Sequence, residues 1–151
     1  MAEQSAITFL MGDEEYAVDL HEVREIRPWQ KPTRIATTPD FILGVINLRG
    51  AIVPIVDLRI RFHICEPSYT PTTVMVILDV RGKAVGVVVD EVKDVLALPE
   101  EGITPAPKLG VTLDSKFIKG LASLGERTII VLDAQALLTS EELMLTEKEE
   151  I

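Results

Sequence analysis

The sequence predicts an all-β protein built from two small barrels of about five short strands each, packed on one aliphatic core. Three observations carry this. The hydrophobic share is 47% while aromatic residues supply only 5%, so the core must consist of Val, Ile and Leu, which favour strands. Turn signals built on Gly, Asp and Pro interrupt the apolar runs at short intervals, which leaves room for strands and little for helix. The strand pattern also occurs twice, in the same order, in the two halves of the chain.

In chain order, Ile7 to Met11 reads as a strand, Gly12-Asp13-Glu14-Glu15 as a turn, and Tyr16 to Leu20 as an alternating second strand. Val23 and Ile26, three apart, permit one helical turn leading into another short strand. Pro28 and Pro32 bracket a loop that carries Trp29. Thr38-Pro39, a cap residue before proline, predicts a short turn of helix. Gly44 to Leu48 and Ala51 to Val56 then form a hairpin through Arg49-Gly50, where Gly50 can take a positive φ. Asp57 caps a turn from Leu58 to Phe62, and residues 63–72 form a linker with two prolines. Thr73 to Asp79 and Ala84 to Val89 are strands around an Arg81-Gly82 turn. Asp133 starts a helix. Thr139 with Glu142 forms a capping box for another, from Ser140 to about Lys148, before a frayed acidic end.

The repeat has two blocks. At an offset of 69, Tyr16, Val18, Leu20, Val23, Glu25 and Ile26 fall on Val85, Val87, Val89, Val92, Asp94 and Val95. At an offset of 76, Phe41, Ile42, Gly44, Leu48, Ile55 and Asp57 fall on Phe117, Ile118, Gly120, Leu124, Val131 and Asp133. The difference, 76 − 69 = 7, places seven extra residues between Pro99 and Ser115. The reading is one domain over 6–146, with a first barrel at about 15–65 plus terminal segments, a second at about 73–133, and an acidic tail at 147–151.

Net charge is −9, which disfavours binding to nucleic-acid phosphates. The single cysteine, Cys65, allows no intramolecular disulfide. The N-terminus lacks the basic-then-apolar pattern of a secretory signal, and no apolar run approaches the ~20 residues that span a bilayer. A reduced, cytoplasmic protein without direct membrane insertion is expected. Arg24, Arg27, Lys31, Arg34, Arg59 and Arg61 read as solvated surface; Arg49 is the exception, set in an apolar hairpin.

No enzymatic constellation emerges, and no cofactor is called for. His63 and Cys65 would give a metal only two ligands, too few for a closed site. Neither a nucleophile elbow nor a C-x-x-C pair is present. Gly120 to Thr128 approaches a phosphate-binding loop but lacks its Lys-Ser/Thr pair and leads into a strand. Asp57, Asp79, Asp90 and Asp133 stand at strand ends, where capping is the common role.

The two copies share shape residues but differ in polar ones. Asn47, Arg49, Gly50 and Pro54 become Ser123, Gly125, Glu126 and Ile130. The first hairpin therefore reads as specialised, with Pro54 marking an edge or bulge. Arg49 either docks a partner, closes an internal salt bridge, or does both beside one acid.

The segments GDEEYAVDLHEVREI, TPDFILGVINLRGAIVPIVDLR, AVGVVVDEVKDVL and FIKGLASLGERTIIVLD resemble the CheW-like domain family of bacterial chemotaxis. The match runs from about Ile7 to about Met144, and its N-L-R-G-x-I-V-P-I-V-D-L block is specific. The resemblance implies two SH3-like five-stranded barrels sharing an aliphatic core, and a non-catalytic adaptor in a stand-alone form, since the chain leaves no room for a kinase or receiver domain. Implied partners are chemoreceptor cytoplasmic tips and the regulatory domain of the histidine kinase CheA, with CheW–CheW contacts as a further option. Glu25 and Arg49 match a charge pair that the family places near its receptor site, with Asn47 and Gly50 in the same motif. Val23, Ile26, Val92 and Val95 would offer a receptor helix an apolar groove, or else they are core. Ile52 and Leu109 are candidates for kinase contact. Two other classes compete: a small-molecule or oligonucleotide binder, disfavoured by few aromatics and negative charge, and a carboxylate hydrolase, for which no motif speaks.

Overall fold

A computed structural model describes residues 3–99, 103–104 and 115–147. The strands are β1 (Glu3–Met11), β2 (Glu14–Asp19), β3 (Val23–Pro28), β4 (Ile42–Leu48), β5 (Ala51–Asp57), β6 (Val74–Val80), β7 (Lys83–Val89), β8 (Glu91–Pro99), β9 (Ile103–Thr104), β10 (Ile118–Leu124) and β11 (Arg127–Leu132). Helix among the described residues is limited to α1 (Leu58–Arg61), α2 (Ser140–Glu147) and 3-10 turns at Leu20–Glu22, Ser115–Phe117 and Ala134–Ala136. The all-β expectation holds.

Two sheets form, in the orders β3-β6-β7-β5-β4 and β8-β1-β2-β11-β10-β9. Each takes its hairpin β6–β7 or β1–β2 from the opposite half of the chain. The bounds 15–65 and 73–133 therefore do not delimit the two sheets. The crossover is local: Asp19 caps a 3-10 turn at Leu20–Glu22, and the chain leaves it to pair Val23 with Leu78 in the other sheet. Period-two alternation states which face of a strand is buried but not which sheet the strand joins.

The repeat itself is reproduced in the register. Parallel pairing joins Ile55 to Gly86 in one sheet and Val131 to Ala17 in the other, and these pairs map onto each other at offsets of 76 and 69. A register shift between Ile42 and Gly44 recurs between Ile118 and Gly120. Closure is also repeated. Past β3, Thr33 and Val45 exchange backbone hydrogen bonds of 2.8 Å, which brings the chain to the far edge of the sheet. Past β8, β9 does the same, with Thr104 opposite Leu121. Gly44 permits the first closure: its φ is +147°, and a Cβ there would lie 2.1 Å from the Thr33 carbonyl oxygen.

The side chains fill three layers. Ile46, Val53, Ile55, Met75, Ile77 and Val88 line the first barrel. Ala6, Ala17, Leu98, Ala122 and Ile129 line the second. The opposite faces meet in a shared core that includes Ile7, Phe9, Val56, Leu78, Val87 and Leu132. As the composition requires, that core is largely aliphatic.

Three helical expectations change. The turn read from Val23 and Ile26 comes earlier, as the 3-10 turn Leu20–Glu22, and both residues lie in β3. Thr38-Pro39 makes a turn rather than a helix: the Thr38 hydroxyl donates back to the Ile35 carbonyl at 3.2 Å, and β4 begins at Ile42, too soon for helix. Asp133 caps only a 3-10 turn, by accepting from the Gln135 N–H. The capping box forms, with Thr139 N–H to Glu142 Oε1 at 2.8 Å and Glu142 N–H to Thr139 Oγ1 at 3.1 Å.

Candidate protein-interaction site

The β4–β5 hairpin turns through Arg49 (φ 52°) and Gly50 (φ 88°), the two positive φ values of a type I′ turn. Arginine is costly in this left-handed region. The Asn47 side chain offsets part of the cost by accepting the Gly50 N–H at 2.9 Å. The polar Asn47 in an apolar strand is thus a turn cap, and Gly50 is conformational.

The turn aims Arg49 at β3. Its Nη2 donates to Glu25 Oε2, and Arg27 Nη1 donates to Glu25 Oε1 at 3.2 Å. The Arg49 side chain is 69% exposed and that of Glu25 24% exposed. Hydrogen bonding from Arg49 holds the Glu25 carboxyl below its usual range, and Glu25 in turn raises Arg49. The pair is a charged surface feature with most of the Arg49 side chain exposed.

The other site residues divide by burial. Val23 and Val92 are half-buried and pack against the shared core, so core packing takes part of each. Ile26 is 43% exposed and Val95 is 59% exposed. Ile26 follows Glu25 on β3, and Val95 lies opposite Ile7 on β8. Ile52 faces Asn47 across the hairpin and is exposed at its edge. β5 meets β7 only from Ile55 onward, so the stretch before and including Pro54 is edge-like, as its proline requires. Leu109 lies outside the described residues.

The second barrel also carries a charge pair. Asp94, the repeat partner of Glu25, lies 3.4 Å from Arg127, which also binds Glu15 through Nε at 3.1 Å. The cation enters from β11 rather than from the turn, so the first hairpin is special in where its arginine stands, not in having one.

Sequence reading missed the buried cation. Arg59 is fully buried, not solvated surface. Its Nε and Nη2 bind Asp57 at 3.0 and 2.8 Å, and its Nη1 binds Asp90 at 2.6 Å and the Ser68 carbonyl at 2.8 Å. Burial works against the charge, but the two carboxylates outweigh it and raise the Arg59 pKa. Tyr69 donates to Asp57 at 2.9 Å, and burial together with Asp57 pushes its hydroxyl up to about 12. Arg61 is likewise inside, lying 4.3 and 5.0 Å from the ring centres of Phe41 and Phe117 and 3.0 Å from Glu142. The available signal was Asp57-x-Arg59 at the end of a strand buried from Val53 to Asp57, where a carboxylate needs a partner. The predicted strand-end caps do form: Asp57 to Arg59 N–H, Asp79 to Gly82 N–H and Asp90 to Gly12 N–H.

Paired SH3-like barrels with exchanged hairpins and a common core define the structural class. The CheW-like domain model matches residues 5–142. The chain therefore belongs to the CheW-like domain family. It is 49% identical over 144 residues to the chemotaxis protein CheW of Klebsiella aerogenes, covering 95% of this chain and 87% of that protein. It is 37% identical over 140 residues to the probable chemotaxis protein CheW of Rhizobium etli, covering 93% and 90%. The crystal structure of the scaffolding protein TtCheW from Thermoanaerobacter tengcongensis superposes with a TM-score of 0.86 at 31% identity, covering 94% of this chain and 92% of that one.

Proposed function

We propose that this protein is a non-catalytic, cytoplasmic adaptor that couples chemoreceptor cytoplasmic tips to the histidine kinase CheA. The observation that carries the reading is the near full-length family match, together with an intact, outward-facing Glu25–Arg49 pair on the family's N-L-R-G turn. No helix among the described residues is long and apolar enough to cross a membrane.

The receptor surface comprises Glu25, Arg49, Asn47 and Gly50 as the charged turn, with Ile26 and Val95 as apolar contacts and Val23 and Val92 as their partly buried support. An amphipathic receptor helix would lay its apolar stripe on the two exposed side chains and pair a polar group with Arg49. Ile52, and Leu109 from its sequence position, are assigned to the regulatory domain of CheA.

A pull-down with two baits, a receptor cytoplasmic fragment and the CheA regulatory domain, tests this. Wild type is expected on both. Arg49→Ala and Glu25→Ala should lose the receptor fragment while keeping the kinase domain and an unchanged melting curve. Failure of wild type to bind either bait would refute the adaptor reading; loss of both baits by the variants would misplace the receptor surface.

A further inference from the structure

We propose that the open end of the first barrel, around Trp29, Leu43 and Tyr69, is a docking site for an acidic peptide segment of a partner protein that inserts one apolar side chain. The inference stands apart from the Glu25–Arg49 turn of the receptor surface above. Leu43 and Arg49 sit at opposite ends of β4, about 20 Å apart at the rise of an extended strand.

The site is a cavity of about 190 Å³ lined by Trp29, Lys31, Pro32, Arg34, Leu43 and Tyr69. Small-molecule sites usually need ~300–1,000 Å³, so this one suits a single side chain rather than a metabolite. Its walls are fixed in advance. Trp29 stacks on Tyr69 with ring centres 4.3 Å apart. Tyr69 is anchored from behind by its hydrogen bond to Asp57 and by the Arg59 guanidinium 5.2 Å from its ring centre. Trp29 and Leu43 rest against the interior of the first barrel. Preordered walls reduce the entropy lost on binding.

The rim supplies the sign of the partner. Arg24, Arg27, Arg49, Arg59, Arg61, Arg81 and Arg127 each donate to a carboxylate or carbonyl. Arg34 has no such partner among the described residues, and neither has Lys31. Both are exposed, on a chain of net charge −9. A purely apolar ligand would cover these cations without compensating them. A segment with carboxylates on either side of an apolar anchor would give each cation a partner, Arg34 in the bidentate mode.

Trp29 is the single tryptophan of the chain and lies in the cavity wall, so its emission reports occupancy directly. A phage-displayed random peptide library is panned on the immobilised full chain, and enriched peptides are titrated against Trp29 fluorescence. Enrichment of sequences with an aromatic or aliphatic residue between acids is expected. They should shift Trp29 emission saturably and bind the Lys31→Glu/Arg34→Glu double variant at least tenfold more weakly. The double variant should keep wild-type melting and wild-type capture by the receptor fragment, which separates failure here from failure of the adaptor reading. Recovery of no peptides, of basic or uncharged peptides, or of peptides that bind the double variant equally well overturns the proposal. So does a Trp29 response to phosphatidylglycerol vesicles in place of peptides, which would assign the two cations to lipid.

Discussion

Two turns of the same sheet are built alike and used differently. Arg49-Gly50 and Arg81-Gly82 both have positive φ at both positions, and each is capped two residues earlier, by Asn47 on the Gly50 N–H and by Asp79 on the Gly82 N–H, both at 2.9 Å. Arg81 is tied to the chain's own C-terminal segment: its N–H donates to Gln135 Oε1 and its Nε to the Leu138 carbonyl. Among the described residues Arg49 pairs with Glu25 alone, and its side chain is largely exposed. An Asx-capped Arg-Gly turn is therefore a shared structural device. What makes one turn a docking candidate and the other a brace is what holds the arginine: Arg81 is tied to the C-terminal segment, whereas Arg49 pairs with a carboxylate on β3 and keeps a largely exposed side chain.

The strongest way to break the comparison is to remove the arginine that has the most internal acceptors. Arg59→Met leaves Asp57 buried with its charge unpaired, and breaking a buried pair this way costs about 3–5 kcal/mol. Urea denaturation should show that loss. Arg49→Ala should leave the urea midpoint unchanged.

Next is the scaffold that holds both turns. Gly44→Ala would place a methyl against the Thr33 carbonyl oxygen in a backbone conformation that L-residues rarely adopt. A destabilisation of roughly 3 kcal/mol is expected, combining backbone strain with a clash. Hydrogen exchange should rise first at Thr33 and Val45, whose amides make the closure. Exchange that rises uniformly would mean that closure and barrel form as one unit.

Much of this contrast was legible in the sequence. The alternating runs, the Arg-Gly turns and the strand-end aspartates gave the strands and their caps, and the two offsets gave a repeat that the register follows pair by pair. The hairpin exchange was not legible, because Tyr16 to Leu20 carries the same alternation whichever sheet it joins. The burial of Arg59 and Arg61 was hidden for a similar reason. An arginine looks like surface until the elements that cover it, here the residue 63–72 linker and α2, are placed in space. The Glu25–Arg49 pair was legible only through the family motif, since the two residues are 24 apart and meet across the sheet closure.

A smaller effect sharpens the comparison directly. Arg81→Ala removes the hydrogen bond to Leu138 and should cost about 1 kcal/mol. It should also loosen the segment from Ala134 to Leu138 in hydrogen exchange, and leave capture by the receptor fragment intact. Arg49→Ala should do the reverse, losing capture without loosening anything. If both variants lose capture, the turns act together and the division into brace and dock is wrong.

The smallest effect comes from the caps, because one is an acid and the other an amide. Hydrogen bonding from Arg24, and then the Gly82 N–H, holds the Asp79 carboxyl below its usual 3.8. A carboxylate depressed in the folded state contributes stability above its unfolded value and loses it as pH falls through the lowered folded value. The Gly82 amide signal in an NMR acid titration should therefore stay constant down to that usual value and move only below it. The Gly50 amide, capped by an uncharged Asn47, should show no titration of its cap, although Glu25, also held low by Arg49, will release the guanidinium in the same acid region. Asp79→Asn should flatten the Gly82 response and make the two turns alike. A Gly82 signal that still titrates in that variant would mean that the proton is taken up elsewhere and that the shared cap does not set the pH response of the turn.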